Sequence, residues 1–233
     1  MASSAEPIIL ALDTSTEMCS VALQVGNQIA ERAILAPREH SQKILPFVEE
    51  LLAEFDVTLA AVQRIIVGHG PGSFTGVRIG VSVAQGLAYS HDIPLTPVTT
   101  LAALAQQAMR LEQAQAVVAA IDARMGEVYI ARYQNRAGLA ECTIEPQMAA
   151  LAELNAQTWW PDATVGCGTG WRDYSEILAP NGGIKVLSEV EFPLARDMLQ
   201  LGQAEHAVVL TAAQLEPLYV RNEVTWKKLP GRE

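Results

Sequence analysis

Asp13-Thr14-Ser15-Thr16 sets one carboxylate and three hydroxyls in four consecutive residues, directly after the apolar run 8–12. A carboxylate and hydroxyls in one turn can hold a magnesium ion through water and orient a phosphate. The same residue types also close turns onto their own backbone. A second stretch, Gly68-His69-Gly70-Pro71-Gly72-Ser73-Phe74-Thr75-Gly76, follows a short apolar run and precedes a helical pattern from about 75 to 89. Strand, glycine-rich turn and helix in that order can aim backbone N–H groups at an anion. It is not a P-loop, because no Gly-Lys-Ser/Thr follows. Phosphate or nucleotide contacts are therefore expected at Asp13, Thr14, Ser15, His69, Gly70, Gly72 and Ser73. The competing expectation is a tight turn that needs several positive φ angles.

Other chemistry finds little material. Gly72-Ser73-Phe74-Thr75-Gly76 misses the Gly-x-Ser-x-Gly elbow by one residue. His40, His69, His91 and His206 are isolated, with no i, i+4 pair and no His-Glu-x-x-His. His40, beside Arg38 and Glu39, could serve as an acid or base, and otherwise reads as a polar helix-start residue. Cys19, Cys142 and Cys167 fit no zinc spacing and no disulfide framework, so free buried thiols are expected. The second-half counterpart of the first turn, Asp122-Ala123-Arg124-Met125-Gly126, has one glycine and no hydroxyl. A second phosphate clamp, which a kinase needs, gains little from it.

These residues need elements to position them. Strands are expected at 8–12, 19–25 and 28–35, then a helix whose apolar face includes Leu45, Val48 and Leu52. A strand at 65–67, the helix at 75–89, a strand at 95–98 and a helix to about 111 follow. The second half repeats the order: strands at 116–121, 127–133 and 139–144, and a helix at 148–156. A strand at 164–166, a helix after Trp171, a strand at 184–187 and a helix at 193–205 complete it. Both halves read β-β-β-α-β-α-β-α, an α/β actin-like or sugar-kinase-like architecture. The expected lobes are 1–110 and 111–207, with 208–233 packing back onto the first.

The helix at 75–89 carries Gly76, Gly80, Ala84 and Ala88 in one row, flanked by Val77 and Val81. Such a row admits another element at close range. It packs either against the chain's own sheet or against a partner helix. The partner reading makes Gly76, Val77, Gly80, Val81, Ala84, Ala88, Leu45, Val48 and Leu52 the expected interface. A homodimer of the isolated chain would use the same patch.

Composition narrows the classes. Half of the 233 residues are hydrophobic and the formal net charge is −10. A sizeable core is possible, and independent nucleic-acid binding, which needs a basic footprint, is not expected. The segment 1–7 is acidic rather than basic and is not expected to be a signal peptide. No apolar run reaches membrane-spanning length. A cytoplasmic protein is the expectation.

Several blocks resemble one family. They are Asp13-Thr14-Ser15-Thr16 with Cys19-Ser20-Val21-Ala22-Leu23, then Arg38-Glu39-His40-Ser41-Gln42-Lys43-Ile44-Leu45-Pro46. Gly70-Pro71-Gly72-Ser73-Phe74-Thr75-Gly76-Val77-Arg78-Ile79-Gly80 is the most specific. Ala120-Ile121-Asp122-Ala123-Arg124-Met125-Gly126-Glu127-Val128-Tyr129, Tyr219-Val220-Arg221-Asn222 and Trp226-Lys227-Lys228-Leu229-Pro230-Gly231 complete the match. Together they resemble the TsaB (YeaZ) family of bacterial tRNA threonylcarbamoyladenosine biosynthesis proteins. The resemblance implies a non-catalytic scaffold that binds and activates TsaD, its paralogue. TsaD transfers the threonylcarbamoyl group to the adenosine beside the anticodon of ANN-decoding tRNAs. It further implies TsaE joining through the TsaB–TsaD complex and tRNA contact only through that complex. ATP or ADP is expected only with the partners, and no tightly bound cofactor or metal. Where TsaD carries a His-x-x-x-His metal pair, this chain has Thr100 and Leu104. Leu104 has no donor at all. The alternative, a small-molecule kinase or ATPase of the actin-like class, would need the second phosphate clamp.

Overall fold

The computed structural model describes residues 6–154, 159, 164–178 and 184–220. Strands β1 (Ile8–Asp13), β2 (Met18–Val25), β3 (Gln28–Leu35), β4 (Arg64–Gly68) and β5 (Leu95–Val98) form one sheet in the order β3-β2-β1-β4-β5. Strands β6 (Ala116–Arg124), β7 (Glu127–Arg136), β8 (Leu139–Ala150), β9 (Thr164–Cys167) and β10 (Lys185–Val186) form a second, in the order β10-β9-β6-β7-β8. In both, the first three strands are an antiparallel meander and the last two run parallel to the first. The topology is therefore duplicated, as the element order implied, and the fold is the two-lobed α/β actin-like type.

The strand sequences explain their places. β1 and β4 are short apolar runs covered on both faces, which central parallel strands require. Leu10 and Leu12 face one layer, with Ile44, Val48 and Leu51 of α1 (His40–Glu54) and Val77, Val81 and Ala84 of α2 (Phe74–His91). Ile9 and Ala11 face the other, with Ala195, Met198 and Leu199 of the last helix, α5 (Ala195–Gly202). Gly202 lets that helix lie directly on Ile66, where a Cβ would overlap the side chain.

The helices do not stay with the sheet that precedes them. α3 (Thr100–Glu112) leaves β5 and packs Leu101, Leu104, Ala105 and Ala108 against Val117, Ala119 and Tyr133 of the second sheet. The opposite face of that sheet is covered by α4 (Thr169–Leu178), whose Trp171 packs on Val118 and Ala120 and donates its indole N–H to the Val118 carbonyl at 2.8 Å. α5 follows the second sheet and packs on the first. Beside the expected lobes 1–110 and 111–207, two helices pack across the molecule. Residues 100–112 belong with the second lobe and 195–202 with the first, because each helix finds its apolar partner across the molecule. Residues near the C-terminus also meet the first lobe. Leu95 and Leu210 exchange backbone hydrogen bonds at 2.8 Å, and the Leu218 N–H donates to the His69 carbonyl at 2.7 Å. The segment 221–233, with the expected basic tail, lies outside the described residues.

One expected helix is a strand. Met148, Ala149 and Ala150 pair with Tyr129, Val128 and Glu127 at the end of β8. Residues 151–153 form a single 3₁₀ turn, and 155–156 lie outside the described residues. β8 is an edge strand, so it tolerates Pro146 where its register against β7 shifts.

The exchanged helices are tied by polar contacts. Arg110 donates to both oxygens of Asp197, at 2.6 and 3.0 Å, and Gln106 donates to the side-chain oxygen of Gln200 at 3.2 Å. The Asp197 side chain is 2% exposed and that of Arg110 36%. Losing the arginine strands a buried carboxylate, whereas losing the charge on the aspartate leaves a guanidinium that reaches water. Arg110→Met is therefore expected to lose about 2–3 kcal/mol of unfolding free energy, and Asp197→Asn about 1. Urea denaturation of both variants measures the difference.

Candidate functional site

The first turn and the glycine-rich loop are clamped together. Asp13 is fully buried, and its carboxylate accepts from the Ser15 N–H at 3.0 Å and from the Ser15 hydroxyl at 2.9 Å. The Thr14 hydroxyl donates to the Gly76 carbonyl at 2.7 Å. The Ser73 N–H donates to the Ser15 carbonyl at 2.8 Å. The Thr100 hydroxyl donates to that of Ser15 at 2.9 Å. The glycines make this approach possible. A Cβ on Gly68 would overlap the Asp13 carboxylate, on Gly72 the Ser15 carbonyl, and on Gly76 the Thr14 carbonyl. On Gly80 it would lie 2.7 Å from the Thr14 hydroxyl.

The residues expected at a phosphate are placed as follows. Asp13, Thr14 and Ser15 are 0% exposed and bonded to the chain itself. Gly70 and Gly72 serve close packing; Gly70 adopts φ 111° beside the Leu218 carbonyl. His69 turns toward the C-terminal segment, its Nδ1 3.4 Å from the Glu216 carbonyl, and burial lowers its pKa. Ser73 caps α2, accepting from the Gly76 N–H at 3.3 Å. The second half repeats the device. Gly168, at φ 96°, and Gly170 lie on the backbone of Ala120, and the Asp122 N–H donates to the Thr169 hydroxyl at 3.1 Å. Asp122 accepts from the Arg124 N–H and the Tyr174 hydroxyl.

Of the two expectations for the small-residue row, the structure shows packing against the chain's own sheet. Gly76, Val77, Gly80, Val81, Ala84 and Ala88 are buried within their own lobe, as is Val48. They face β1 and β4, because a small residue at every fourth position, glycine at 76 and 80, lets the helix approach the sheet closely. Leu45, 42% exposed, and half-buried Leu52 remain reachable. The outer side of the α1–α2 pair instead carries Tyr89 at 81% exposure, with Ser82 and Gly86 also exposed. Sequence reasoning passed over these three. The signal available was their half-turn offset from the small row.

Thr100 and Leu104 are both buried, the first bonded to Ser15 and the second in the core of the second lobe. Among the described residues, no three His, Cys, Asp or Glu side chains are grouped to hold a metal. Burial pushes the Cys19 thiol up to about 12, which suppresses the reactive thiolate.

Duplicated lobes, exchanged helices and a glycine clamp at each first turn define an actin-like, two-lobed protein. The sequence model of the TsaD family, described as tRNA N6-adenosine threonylcarbamoyltransferase, matches residues 28–164, more than half of the chain. A Haemophilus influenzae protein described as tRNA threonylcarbamoyladenosine biosynthesis protein TsaB is 43% identical over 240 residues, covering 97% of this chain and 98% of its own. Its Escherichia coli K12 counterpart is 42% identical over 233 residues, covering 97% and 99%. The solved structure of YeaZ from Pseudomonas aeruginosa superposes with a TM-score of 0.83 at 40% identity, over 91% of this chain and 99% of that one. The chain belongs to the TsaB family.

Two outcomes follow from the clamp. Gly76→Ala places a methyl group against the Thr14 carbonyl and is expected to cost at least about 2 kcal/mol, read as a lower urea midpoint. Asp13 gives a pH signature. Burial raises its pKa from 3.8 to about 6, against the lowering effect of the Ser15 hydrogen bonds. The folded state thus holds this proton more tightly than the unfolded one. Its contribution to stability is present below about pH 4 and falls as pH rises to about 6, by about 3 kcal/mol in all. Asp13→Asn removes that titration. Its stability relative to wild type is expected to rise between pH 4 and 7, measured by denaturation at each pH.

Proposed function

We propose that the chain is a non-catalytic subunit in the formation of threonylcarbamoyladenosine in tRNA, acting by binding and activating a TsaD-type transferase. The observation that carries this reading is the clamp itself. The turn that could hold metal and phosphate, Asp13-Thr14-Ser15, is bonded inward to the glycine-rich loop. Thr100 and Leu104 stand where a TsaD-type metal pair would be needed, and neither supplies an imidazole. The names of the full-length relatives supply the pathway. Nothing in the second turn favours the kinase or ATPase reading, since Asp122 is bonded within its own lobe.

The partner surface in this reading is the exposed sides of α1 and α2, Leu45 and Leu52 on the first and Tyr89, Ser82 and Gly86 on the second. An exposed apolar helix pair is covered by a partner or by a second copy of the chain, which gives a homodimer in the partner's absence. A TsaE-type ATPase joins through the complex, and ATP or ADP binds there. A chain with formal net charge −10 reaches tRNA through its partner rather than by itself. No helix among the described residues is long and apolar enough to cross a membrane. A cytoplasmic site of action accords with a tRNA substrate.

Leu45→Arg and Tyr89→Arg test the surface, because both side chains already stand in solvent. Each is expected to keep the wild-type melting temperature and to weaken binding to the TsaD-type partner by about tenfold or more in calorimetric titration. Folded variants that bind with wild-type affinity would remove this surface from the account.

A further inference from the structure

We propose that the outer edge of β3 is a self-pairing surface, on which a second copy of the chain adds its own β3 antiparallel and joins the two first-lobe sheets into one. An open strand edge is a template for another strand unless charges, proline, a bulge or a covering segment blunt it. The other edges among the described residues are blunted. β5 is covered at Leu95 by the bridge to Leu210, β8 carries Glu141, Glu145 and Pro146 with a shifted register, and β10 has two residues. β3 has eight residues, no proline or lysine, and an unbroken register with β2. Its two charges are engaged within the chain. Glu31 accepts from the Ser20 hydroxyl and the Arg196 N–H, both at 3.3 Å, and Arg32 reaches Glu50 and Glu54 of α1 at 3.1 and 2.6 Å. Ile29, Ile34 and Leu35 are 45%, 42% and 56% exposed.

Hydrogen-bond parity and sequence fix the occupant and its register. In an antiparallel ladder alternate residues turn both backbone groups to the neighbouring strand, and the others turn them away. The Ala36 N–H donates to the Glu17 carbonyl at 3.0 Å, in the same register that pairs Leu35 with Met18. Even-numbered residues of β3 therefore face β2, and Ile29, Glu31, Ala33 and Leu35 point their N–H and C=O groups outward. A two-fold axis through Arg32 sets Ile29 against Leu35 of the second copy and Glu31 against Ala33, so all four outward residues fall in hydrogen-bonded pairs. On the α5 side Ile29 meets Leu35, and on the α1 side Ala30 meets Ile34. Every exposed apolar side chain of the strand gains an apolar partner. The symmetric register one residue earlier sets Glu31 on Glu31 and Leu35 against Asn27; the one later sets Ile29 against Pro37. The two Arg32 side chains meet at the axis, each already held by two glutamates. This self-complementarity singles out a second copy over an unrelated strand. The surface lies on the sheet edge and does not rest on the partner reading of α1 and α2.

Amide hydrogen exchange of the whole chain at two concentrations tests this. The outward amides of Ile29, Glu31, Ala33 and Leu35 are expected to exchange about threefold or more slowly at about 500 μM than at about 5 μM, for a dissociation constant at or below about 50 μM. Ala33→Pro removes an outward donor and no bond to β2, so an edge strand tolerates it. In the Tyr89→Arg chain, whose helix face is blocked, Ala33→Pro is expected to weaken self-association at least about tenfold in sedimentation. Arg32→Cys sets two thiols across the axis at a Cα separation that a disulfide spans. It is expected to form a covalent dimer on oxidation, well above the yield from Ala33→Cys, and it keeps the test valid if Ala33→Pro fails to fold. Outward amides whose exchange ignores concentration, folded Ala33→Pro that associates like its parent, or equal yields from the two cysteine variants would overturn the proposal. Slowing of those amides only on adding a TsaD-type partner would give the edge to that partner and overturn it as well.

Discussion

The first lobe depends on two hydrogen bonds, Ser73 N–H to the Ser15 carbonyl and Thr14 hydroxyl to the Gly76 carbonyl. They draw the start of α2 onto the turn after β1. At that separation no side chain larger than hydrogen fits at Gly72 or Gly76. The glycines therefore serve contact between two pieces of backbone, and the phosphate-cradle geometry that their spacing suggests is closed by the chain itself. Asp13 is buried by the same contact, and Gly68 makes room for its carboxylate. An ionised group in that position is stabilised by Ser15 alone among its hydrogen-bond donors, so its desolvation is incompletely offset.

The clamp also sets what the rest of the molecule can present. Once the small row of α2 is fixed against β1 and β4, the opposite side of the helix must face outward. That is why Tyr89 is exposed while Ala88, its neighbour, is buried. The exchange of α3 and α5 between lobes acts at a larger scale. Each sheet is completed by a helix that follows the other sheet, so neither lobe has a full core without the other. Arg110 and Asp197 join those two helices at their contact. A two-lobed chain of this kind behaves as one packed unit.

Much of the fold was legible because hydrophobic runs and turn residues carry it directly. The runs of β1 and β4 and the two hairpins gave the element order of each half, and the repeated order gave the duplication. The row Gly76, Gly80, Ala84, Ala88 announced a close approach. It could not say to what, since a sheet and a partner helix demand the same small residues. The burial of Asp13 was hidden for a similar reason: the residues after it are polar, and the group that encloses it is Gly68, 55 positions away. His40 read as an ordinary helix start because its surroundings come from α2 and the second lobe. The helix exchange left no trace, as α3 and α5 have the same amphipathic pattern whichever sheet they cover. Met148–Ala150 misled because a short apolar run does not distinguish helix from edge strand.

The central claim is that the clamp is a permanent part of the fold and not a nucleotide loop caught in one position. Native-state hydrogen exchange at the Ser15 and Ser73 amides tests it most directly, with and without ATP and magnesium. A permanent clamp predicts that both exchange only through global unfolding, with protection matching the stability from denaturation and unchanged by nucleotide. Exchange through a low-energy local opening, or protection at Ser73 that changes when ATP is added, would contradict the account.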